Sequence, residues 1–434
     1  MSTDDDRRIV ILGGGLTGIS AAVHLKKSPW VLFEKEDRLG GHARTDVVRG
    51  FHFDKTGHWL HLRDPYTKQL IAELLPEGMV TVERKARIFS HGALTRFPFQ
   101  ANLHGLPPEV IKECLLGFIE AWQRRGEAKA PDNFEEFILQ KMGSGIARHF
   151  MIPYNQKLWG VHPREITSEW CSRFVPTPKL EDVVSGAVGA NPPEMGYNVG
   201  FLYPKAGGIE TMTRALIARM QGGQTHLRAD PEAIDWRRQV VNVGGESVSY
   251  RALIATIPMP EMVKRLVDPP REIVEAAGKL RCTLVRYLNV ATRTQPNSDF
   301  HWIYVPEEKY PFYRVGIYSN AVPAMAPAGH GSLYVEMSDR GPMPRLDDIL
   351  PDTAQALAAA GAINSPDDIL FAELKEIQYA YVVFDHAYYT AVKTITDWFE
   401  AHQIHPRGRY GSWIYNAMED SILAGREVAQ KLET

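Results

Sequence analysis

A glycine-rich segment near the start of the sequence has the residue types needed to bind a phosphate group. Gly13, Gly15 and Gly18 follow the spacing G-x-G-x-x-G, directly after an apolar run at residues 8–12. Glycines at this spacing let backbone N–H groups and the N-terminus of a following helix approach a pyrophosphate, because no Cβ atom stands in the way. Glu34 follows at the distance of roughly 20 residues at which a carboxylate accepts a hydrogen bond from a ribose hydroxyl. These residues predict a dinucleotide site.

The elements that must position this segment are a strand, a helix and a second strand. Residues 8–12 are a short β-branched run typical of a buried parallel strand, and residues 30–34 form a second such run. Between them, residues 17–27 carry apolar side chains at helical spacing. A β-α-β unit places the glycine turn where its backbone can meet a dinucleotide. An incidental surface turn is therefore the less favoured interpretation.

Composition excludes several classes of protein. Lys+Arg 49 and Asp+Glu 52 give a net charge of −3, so no overall positive field attracts a nucleic acid or an acidic membrane. The three cysteines, Cys114, Cys171 and Cys282, are too few and too scattered for a disulfide framework or a metal knuckle, so no metal site is predicted. No run of about 18 apolar residues occurs, and acidic residues stand where an export signal needs positive charge. We expect a cytoplasmic protein that does not insert into membranes.

The rest of the sequence alternates between helical and strand-like patterns. Residues 107–125 place apolar side chains at helical spacing after two prolines. Residues 133–151 predict more helix, with a break near residues 143–145. Strand patterns follow at residues 239–258, 283–290 and 302–305, and a final amphipathic helix is predicted at residues 418–432.

The residues that follow Glu34 resemble those of the flavin-containing amine oxidase and glutathione reductase type 2 superfamily. Residues 34–42 read E-K-E-D-R-L-G-G-H. The strand and turn at residues 255–258, and the final glycine-rich turn with its helix, resemble two other FAD segments of that superfamily. The resemblance implies FAD rather than NAD. The implied cofactor-binding residues are Gly13, Gly15, Gly18, Glu34, Arg38, Gly40, Gly41, Arg44 and Met418.

The middle and end of the sequence resemble one family within that superfamily. Segments at residues 96–103, 151–160, 170–175, 304–314 and 411–415 are similar to UDP-galactopyranose mutases, and more to the eukaryotic type than to the bacterial type. The resemblance implies an isomerase that interconverts the pyranose and furanose rings of a nucleotide sugar. In that family's mechanism, N5 of reduced FAD attacks the anomeric carbon, so NAD(P)H or another external reductant would activate the enzyme.

The same resemblance implies which residues act on the substrate. Arg173 and Arg314 would bind the diphosphate and His58 would lie in a loop beside the flavin, so these three form the predicted catalytic set. Arginine suits this task because its planar, permanently charged guanidinium can bind two phosphate oxygens. The implied substrate-binding residues are Phe97, Phe99, Gln100, Asn155, Trp159, Asn198, Tyr304, Tyr388 and Tyr415.

Two departures leave the sugar and the base open. The resembled eukaryotic enzymes carry a tyrosine where this sequence has Phe97, and residues 415–420 lack the polar stretch expected near the pyranose. The substrate is therefore UDP-galactose or a related nucleotide sugar. The sequence also leaves the oligomeric state open.

The predicted fold class is α/β, with a discontinuous Rossmann-like FAD-binding domain. Its segments would be residues 1–95, 196–270 and 386–434, with a mainly helical substrate-side insert at residues 96–195 and a mixed-sheet substrate domain at residues 271–385. Two other functions stay open at this stage. An oxidase or desaturase of the amine oxidase superfamily shares the FAD segments but needs no paired diphosphate arginines. A flavin-binding protein without catalytic turnover is the other alternative.

Overall fold

The computed structural model describes residues 8–126, 129–171, 175, 177–190, 200–338 and 341–434. These residues form two seven-stranded sheets, two two-stranded sheets and a set of helices. The strands are β1 (Arg8–Leu12), β2 (Trp30–Phe33), β3 (Thr45–Val48), β4 (Phe51–Asp54), β5 (Met79–Glu83), β6 (Ala86–Ser90), β7 (Ala93–Arg96), β8 (Gly200–Pro204), β9 (Gly223–His226), β10 (Pro231–Asp235), β11 (Val240–Val243), β12 (Glu246–Ala255), β13 (Val285–Thr292), β14 (Trp302–Tyr304), β15 (Arg314–Ile317), β16 (Gly331–Ser338), β17 (Ile369–Ile377) and β18 (Ile404–Pro406). The helices are α1 (Leu16–His24), α2 (Pro65–Leu74), α3 (Pro108–Gln123), α4 (Phe134–Ile146), α5 (Ile152–Trp159), α6 (Leu180–Val188), α7 (Glu210–Ile217), α8 (Met259–Lys264), α9 (Arg271–Gly278), α10 (Tyr318–Ala321), α11 (Leu346–Ala359), α12 (Tyr388–Ala401), α13 (Gly408–Gly411) and α14 (Met418–Glu433).

The first sheet is built around the β-α-β unit that the sequence predicts. Its strand order is β10-β11-β12-β1-β2-β9, with β18 beside β12. β1 runs parallel to both β2 and β12, and residues 9–12 are fully buried, which explains why this run is entirely apolar. The predicted strand, helix and strand are confirmed, with the helix ending at His24.

Three separate stretches of the chain supply the first sheet. They are residues 8–33, 223–255 and 404–406. The confirmed fold class is thus a mixed α/β structure whose first sheet is discontinuous in sequence. In that sheet β10, β11 and β12 pair antiparallel and the other pairs are parallel. The domain boundaries themselves stay a prediction. β6 and β7, which start within the first predicted segment, pair in the second sheet.

The second sheet is mainly antiparallel and carries Tyr304 and Arg314, two of the predicted site residues. Its strand order is β17-β13-β16-β15-β14-β6-β7, and the β14–β6 pair alone among these runs parallel. Tyr304 on β14 lies opposite Arg314 on β15, and Arg314 in turn lies opposite Glu336 on β16. The register therefore brings three polar residues of distant sequence positions into one row.

In sequence, a group of helices separates the first stretch of the first sheet, residues 8–33, from the second stretch, residues 223–255. α3 packs closely against α4, and the predicted break near residues 143–145 occurs at Gly143, whose φ of +79 is left-handed. A Cβ atom there would lie 2.1 Å from the carbonyl oxygen of Gly117, so only glycine allows the two helices to approach this closely. A π-helical turn at Ala147–Met151 then leads into α5.

The C-terminal helix α14 packs along α1. A Cβ atom at Gly425 would lie 2.3 Å from the carbonyl oxygen of Thr17, so the two helices are in backbone contact beside the glycine turn. No helix of the described ranges is both long and apolar enough to cross a membrane.

Candidate active site

A cavity of about 950 Å³ is lined by residues of both sheets. Its lining includes the glycine turn and Glu34 together with Tyr304, Arg314 and Tyr415. The predicted dinucleotide site and several of the predicted substrate and catalytic residues therefore line the same cavity.

The glycine turn leaves its backbone open to this cavity. Gly13 has a φ of +98, and a Cβ atom at Gly18 would lie 2.0 Å from the carbonyl oxygen of Gly13, so both positions need glycine. A Cβ atom at Gly15 would meet nothing nearer than Gly41 Cα at 4.0 Å. Gly15 thus presents its bare backbone to the space where a pyrophosphate would lie.

Glu34 holds the turn in place and also lines the cavity. Its buried carboxylate accepts hydrogen bonds from Gly14 N at 2.7 Å and Glu36 N at 2.9 Å. Each carboxylate oxygen has a further lone pair. Glu34 can therefore accept a ribose hydroxyl while it fixes the glycine turn.

The second glycine pair packs directly on the first. Gly40 N donates to Gly14 O at 2.7 Å, and a Cβ atom at Gly41 would lie 3.0 Å from Gly15 Cα. Arg44 is buried, lines the cavity and donates from Nε to Gly41 O at 2.8 Å. Arg38 instead forms ion pairs with Asp46 and, at 3.4 Å, with Glu210, outside the cavity lining.

Cations surround the middle of the cavity. Arg409 donates from Nη1 to Asn416 O at 2.8 Å and from Nη2 to Ala380 O at 2.9 Å, and its guanidinium carbon lies 4.8 Å from the centre of the Tyr415 ring. These partners carry no charge, so the positive charge of Arg409 is not compensated by them. Met418, the first residue of α14, lines the same region.

His58 is held as a neutral imidazole beside these cations. Burial lowers the pKa of His58 to about 4, and the positive charges of Arg409 and Lys55 add to the effect, against a backbone hydrogen bond to Thr56. Gly57 precedes it, where a Cβ atom would lie 2.4 Å from Tyr334 Oη. His58 therefore enters the cavity without a charge at neutral pH.

These features fit FAD. The open backbone at Gly15 suits a pyrophosphate, and the Glu34 carboxylate can accept a hydrogen bond from an adenosine ribose hydroxyl. Arg409 supplies positive charge for an electron-rich ring. Tyr304, Arg314 and Tyr415 line the same cavity.

Arg314 lies at the far part of the cavity and is fixed by a buried carboxylate. Its Nε donates to Glu336 Oε2, and its Nη2 donates to Glu336 Oε1 at 2.7 Å and to Tyr381 Oη at 3.2 Å. Burial alone would lower the pKa of Arg314, but the charge of Glu336 raises it well above its ordinary value. Within the residues that the structure describes, Nη1 makes no hydrogen bond, so it can receive an anionic ligand.

Aromatic side chains flank Arg314. The Phe97 and Tyr304 ring centres are 5.2 Å apart, and the Tyr381 and Tyr415 rings stack at 5.9 Å. All four residues line the cavity. Planar rings of this kind can pack against a base or a sugar and exclude water from the charged groups.

Several predicted substrate residues lie in the protein core rather than along this cavity. Phe99 stacks on Phe150, Trp159 lies 5.9 Å from Tyr381, and the buried amide of Asn155 donates to Met151 O at 2.7 Å. Tyr388 donates to Trp413 O at 2.5 Å, and Gln100 is also buried. Among the described residues they are absent from the lining. Arg173 and Asn198 lie outside the described residues.

Sequence reasoning missed several lining residues. Glu336 is the most telling, because a carboxylate within the apolar run of residues 333–337 signals a buried charge that needs a partner. Arg409 belongs to the final glycine-rich turn, residues 408–411, but the sequence did not predict that its side chain lines the cavity. Tyr334, Tyr381 and Lys55 carry no comparable sequence signal.

Comparison with known proteins places the chain among flavoenzymes. A sequence profile for flavin containing amine oxidoreductase matches residues 16–432. A crystal structure of reduced UDP-galactopyranose mutase superposes with a TM-score of 0.92 at 27% identity, covering 98% of this chain and 94% of that one. The resemblance to that enzyme, predicted from the sequence, is thus confirmed.

Curated relatives are named for other chemistry. A probable flavin-containing monoamine oxidase A from Dictyostelium discoideum is 31% identical over 114 residues, 24% of this chain and 25% of its own length. A zeta-carotene-forming phytoene desaturase from Myxococcus xanthus is 23% identical over 384 residues, 76% of this chain and 71% of its length. The chain thus matches about a quarter of the length of that oxidase.

Proposed function

The chain belongs to the flavin-containing amine oxidoreductase family, and we propose that it is an FAD-dependent mutase that interconverts the pyranose and furanose forms of UDP-galactose or a related nucleotide sugar. The observation that carries this proposal is the single cavity that joins the glycine cradle to Arg314 and its aromatic neighbours. The similarity to UDP-galactopyranose mutase over 98% of the chain supports it.

The roles of the cofactor residues follow from their positions. Gly13, Gly15 and Gly41 would hold the pyrophosphate of FAD, and Glu34 would bind its ribose. Arg409 would stabilise negative charge on the reduced ring system. When bound in its reduced form, FAD supplies an electron-rich centre that can attack an anomeric carbon. NAD(P)H or another external reductant would bring it to that form.

Arg314 would bind and orient the diphosphate of the nucleotide sugar. Because Glu336 fixes Nε and Nη2, the remaining Nη1 points its charge-assisted hydrogen bond in one direction. Arg173 is proposed as a second diphosphate ligand. Neutralising the diphosphate helps it to leave as the sugar–phosphate bond breaks, and a diphosphate kept bound can return to the isomerised sugar.

The aromatic side chains would sequester the sugar from water. Phe97, Tyr304 and Tyr415 line the part of the cavity next to Arg314, and water excluded there cannot hydrolyse a reactive sugar. His58, with its pKa lowered to about 4 by burial, would act as a neutral hydrogen-bonding group rather than as a proton donor. The proposed reaction therefore depends on positioning by the protein.

The curated relatives favour an oxidase as the second candidate. Similarity to a monoamine oxidase and to a phytoene desaturase, at 31% and 23% identity, supports net oxidation of an amine or a polyene. The two candidates need opposite starting states of the cofactor. An oxidase consumes oxidised flavin, whereas a mutase turns over with reduced flavin and returns it reduced.

The deciding experiment uses that difference. Flavin-loaded protein is reduced with dithionite or NADPH without oxygen, mixed with UDP-galactofuranose and analysed by chromatography for UDP-galactopyranose. We expect conversion only after reduction, with no stoichiometric loss of reductant. The same protein, oxidised and in air, is incubated with amines while peroxide is measured. Product formed one-to-one with peroxide, with no ring conversion, would reject the mutase in favour of the oxidase. Full ring conversion by oxidised protein would instead reject the proposed dependence on reduced flavin.

A further inference from the structure

A half-buried lysine outside the cavity lining donates hydrogen bonds to several carbonyl groups of one loop. Lys157, on α5, donates from Nζ to the carbonyl oxygens of Val305, Glu307, Tyr310 and Phe312, at 3.0, 2.9, 3.0 and 2.5 Å. Its three N–H donors are therefore shared among four acceptors. These acceptors all belong to the loop that joins β14 to β15.

This lysine has no charged partner in the described part of the chain. The nearby carboxylate of Glu307 is engaged elsewhere, since it accepts from His91 N at 3.1 Å and pairs with Lys309 at 3.3 Å. Burial lowers the pKa of Lys157 to about 7, although Glu307 and Glu308 oppose that shift. Carbonyl oxygens arranged around one point replace the hydration shell of a cation. The ammonium group is thus the centre around which the loop folds.

The two ends of this loop are predicted substrate residues. Tyr304 ends β14, Arg314 begins β15, and the two lie opposite each other in register. α5 also carries Tyr154, whose ring packs edge-on against Tyr304 at 5.4 Å. Strand pairing and Glu336 hold Tyr304 and Arg314 on the sheet, and Lys157 adds a separate restraint on the irregular backbone between them.

We propose that Lys157 is a positioning residue, which fixes the 305–313 loop so that Tyr304 and Arg314 hold the directions required to bind a nucleotide diphosphate. This inference rests on the proposed function for its ligand. It assigns to the helical insert a part in substrate binding that does not involve contact with the substrate. The effect is local, so flavin binding at the glycine turn is independent of it.

The test compares Lys157→Met and Lys157→Ala with Lys309→Met, using flavin-loaded protein. Lys309 lies in the same loop, but its side chain is 62% exposed, so its variant controls for the loss of one positive charge. We expect both Lys157 variants to retain flavin and to bind UDP at least about tenfold more weakly, because several charge-assisted hydrogen bonds are lost. Hydrogen exchange of the amides of residues 305–313 should become faster in both. Lys309→Met should match the wild type in each measurement.

Chemical rescue distinguishes positioning from general damage. Lys157→Ala leaves four carbonyl oxygens around a space that an ammonium ion can fill. UDP affinity should recover with ammonium chloride but not with tetramethylammonium chloride at equal ionic strength, because the larger ion has no N–H donor. Lys157→Met, whose side chain fills that space, should not recover.

Each other outcome overturns the inference. If the Lys157 variants lose flavin or fail to fold, the role of the residue lies in the whole fold. Faster hydrogen exchange with unchanged UDP affinity would show that Lys157 orders the 305–313 loop but does not affect nucleotide binding. If the wild-type protein binds no nucleotide, the proposed function fails, and the exchange measurement then decides by itself whether Lys157 orders the loop.

Discussion

Replacing Arg314 with methionine should affect nucleotide binding and folding stability by separate routes, because this arginine faces two kinds of partner. Toward the protein it is bidentate with Glu336, whose side chain is 1% exposed. Removing one member of a buried pair leaves an uncompensated charge, at a cost of about 3–5 kcal/mol. Toward the cavity, Nη1 offers one charge-assisted hydrogen bond, which contributes about 1.5–3 kcal/mol. We therefore expect Arg314→Met to lower the unfolding temperature and to weaken UDP binding by roughly 10- to 150-fold.

The double variant Arg314→Met/Glu336→Met separates the two effects. It removes the unpaired carboxylate, so it should regain most of the lost stability, while its UDP affinity should stay as weak as that of Arg314→Met. Arg281→Met is the matched control, because Arg281 pairs with Glu165 and Asp385 away from the cavity. Calorimetric unfolding and titration with UDP, both on flavin-loaded protein, measure the two quantities. Unchanged UDP affinity in Arg314→Met, or recovery of affinity in the double variant, would refute the reasoning.

Two further predictions concern the cofactor region, and a third concerns a buried carboxylate outside the cavity lining. Gly41→Ala should weaken FAD retention, because a backbone φ of +59 costs alanine about 1–2 kcal/mol and because its Cβ atom would lie 3.0 Å from Gly15 Cα. The rate of flavin release after dilution measures this retention. Arg409→Met should lower the midpoint potential of the bound flavin by about 30 mV or more, because a cation stabilises the anionic reduced ring. Arg409→Lys keeps the charge and should lower the potential by less. Equal midpoint potentials in the wild type and Arg409→Met would contradict this role. Burial raises the pKa of Asp54 to about 7, so the folded state binds a proton that the unfolded state releases near pH 4. The free energy of unfolding should therefore fall as pH rises from about 4 to 7, and by less in Asp54→Asn, as denaturant titration at several pH values would show.

The cofactor cradle could be predicted from sequence because its signals are local. An apolar run, three spaced glycines and one carboxylate lie within 27 consecutive positions, from Arg8 to Glu34. Each is required by short-range geometry, such as the 2.0 Å approach that a Cβ atom at Gly18 would make. The sequence therefore specifies this part of the fold before any tertiary contact is known.

The row of residues around Arg314 could not be predicted in the same way. Arg314 and Glu336 meet because β15 and β16 pair in one particular register, and a shift of one residue would turn them to opposite faces. Aromatic residues caused the other difficulty. Phe99, Trp159 and Tyr388 have the chemistry of a stacking ligand, but the same chemistry suits a buried core, where they lie.

The charges along the cavity support our proposal of a diphosphate, rather than a protonated amine, as the ligand. The carboxylates of Glu336 and Glu376, which line the cavity, each pair with an arginine, Arg314 and Arg286 respectively. Arg409, in contrast, donates to two backbone carbonyl oxygens and lies over the Tyr415 ring, and these partners do not neutralise its charge. Burial lowers the pKa of His58, and the charges of Arg409 and Lys55 add to that effect. A cationic substrate would be repelled by the same groups that attract phosphate oxygens. Within a family named for amine oxidation, this arrangement favours an anionic substrate.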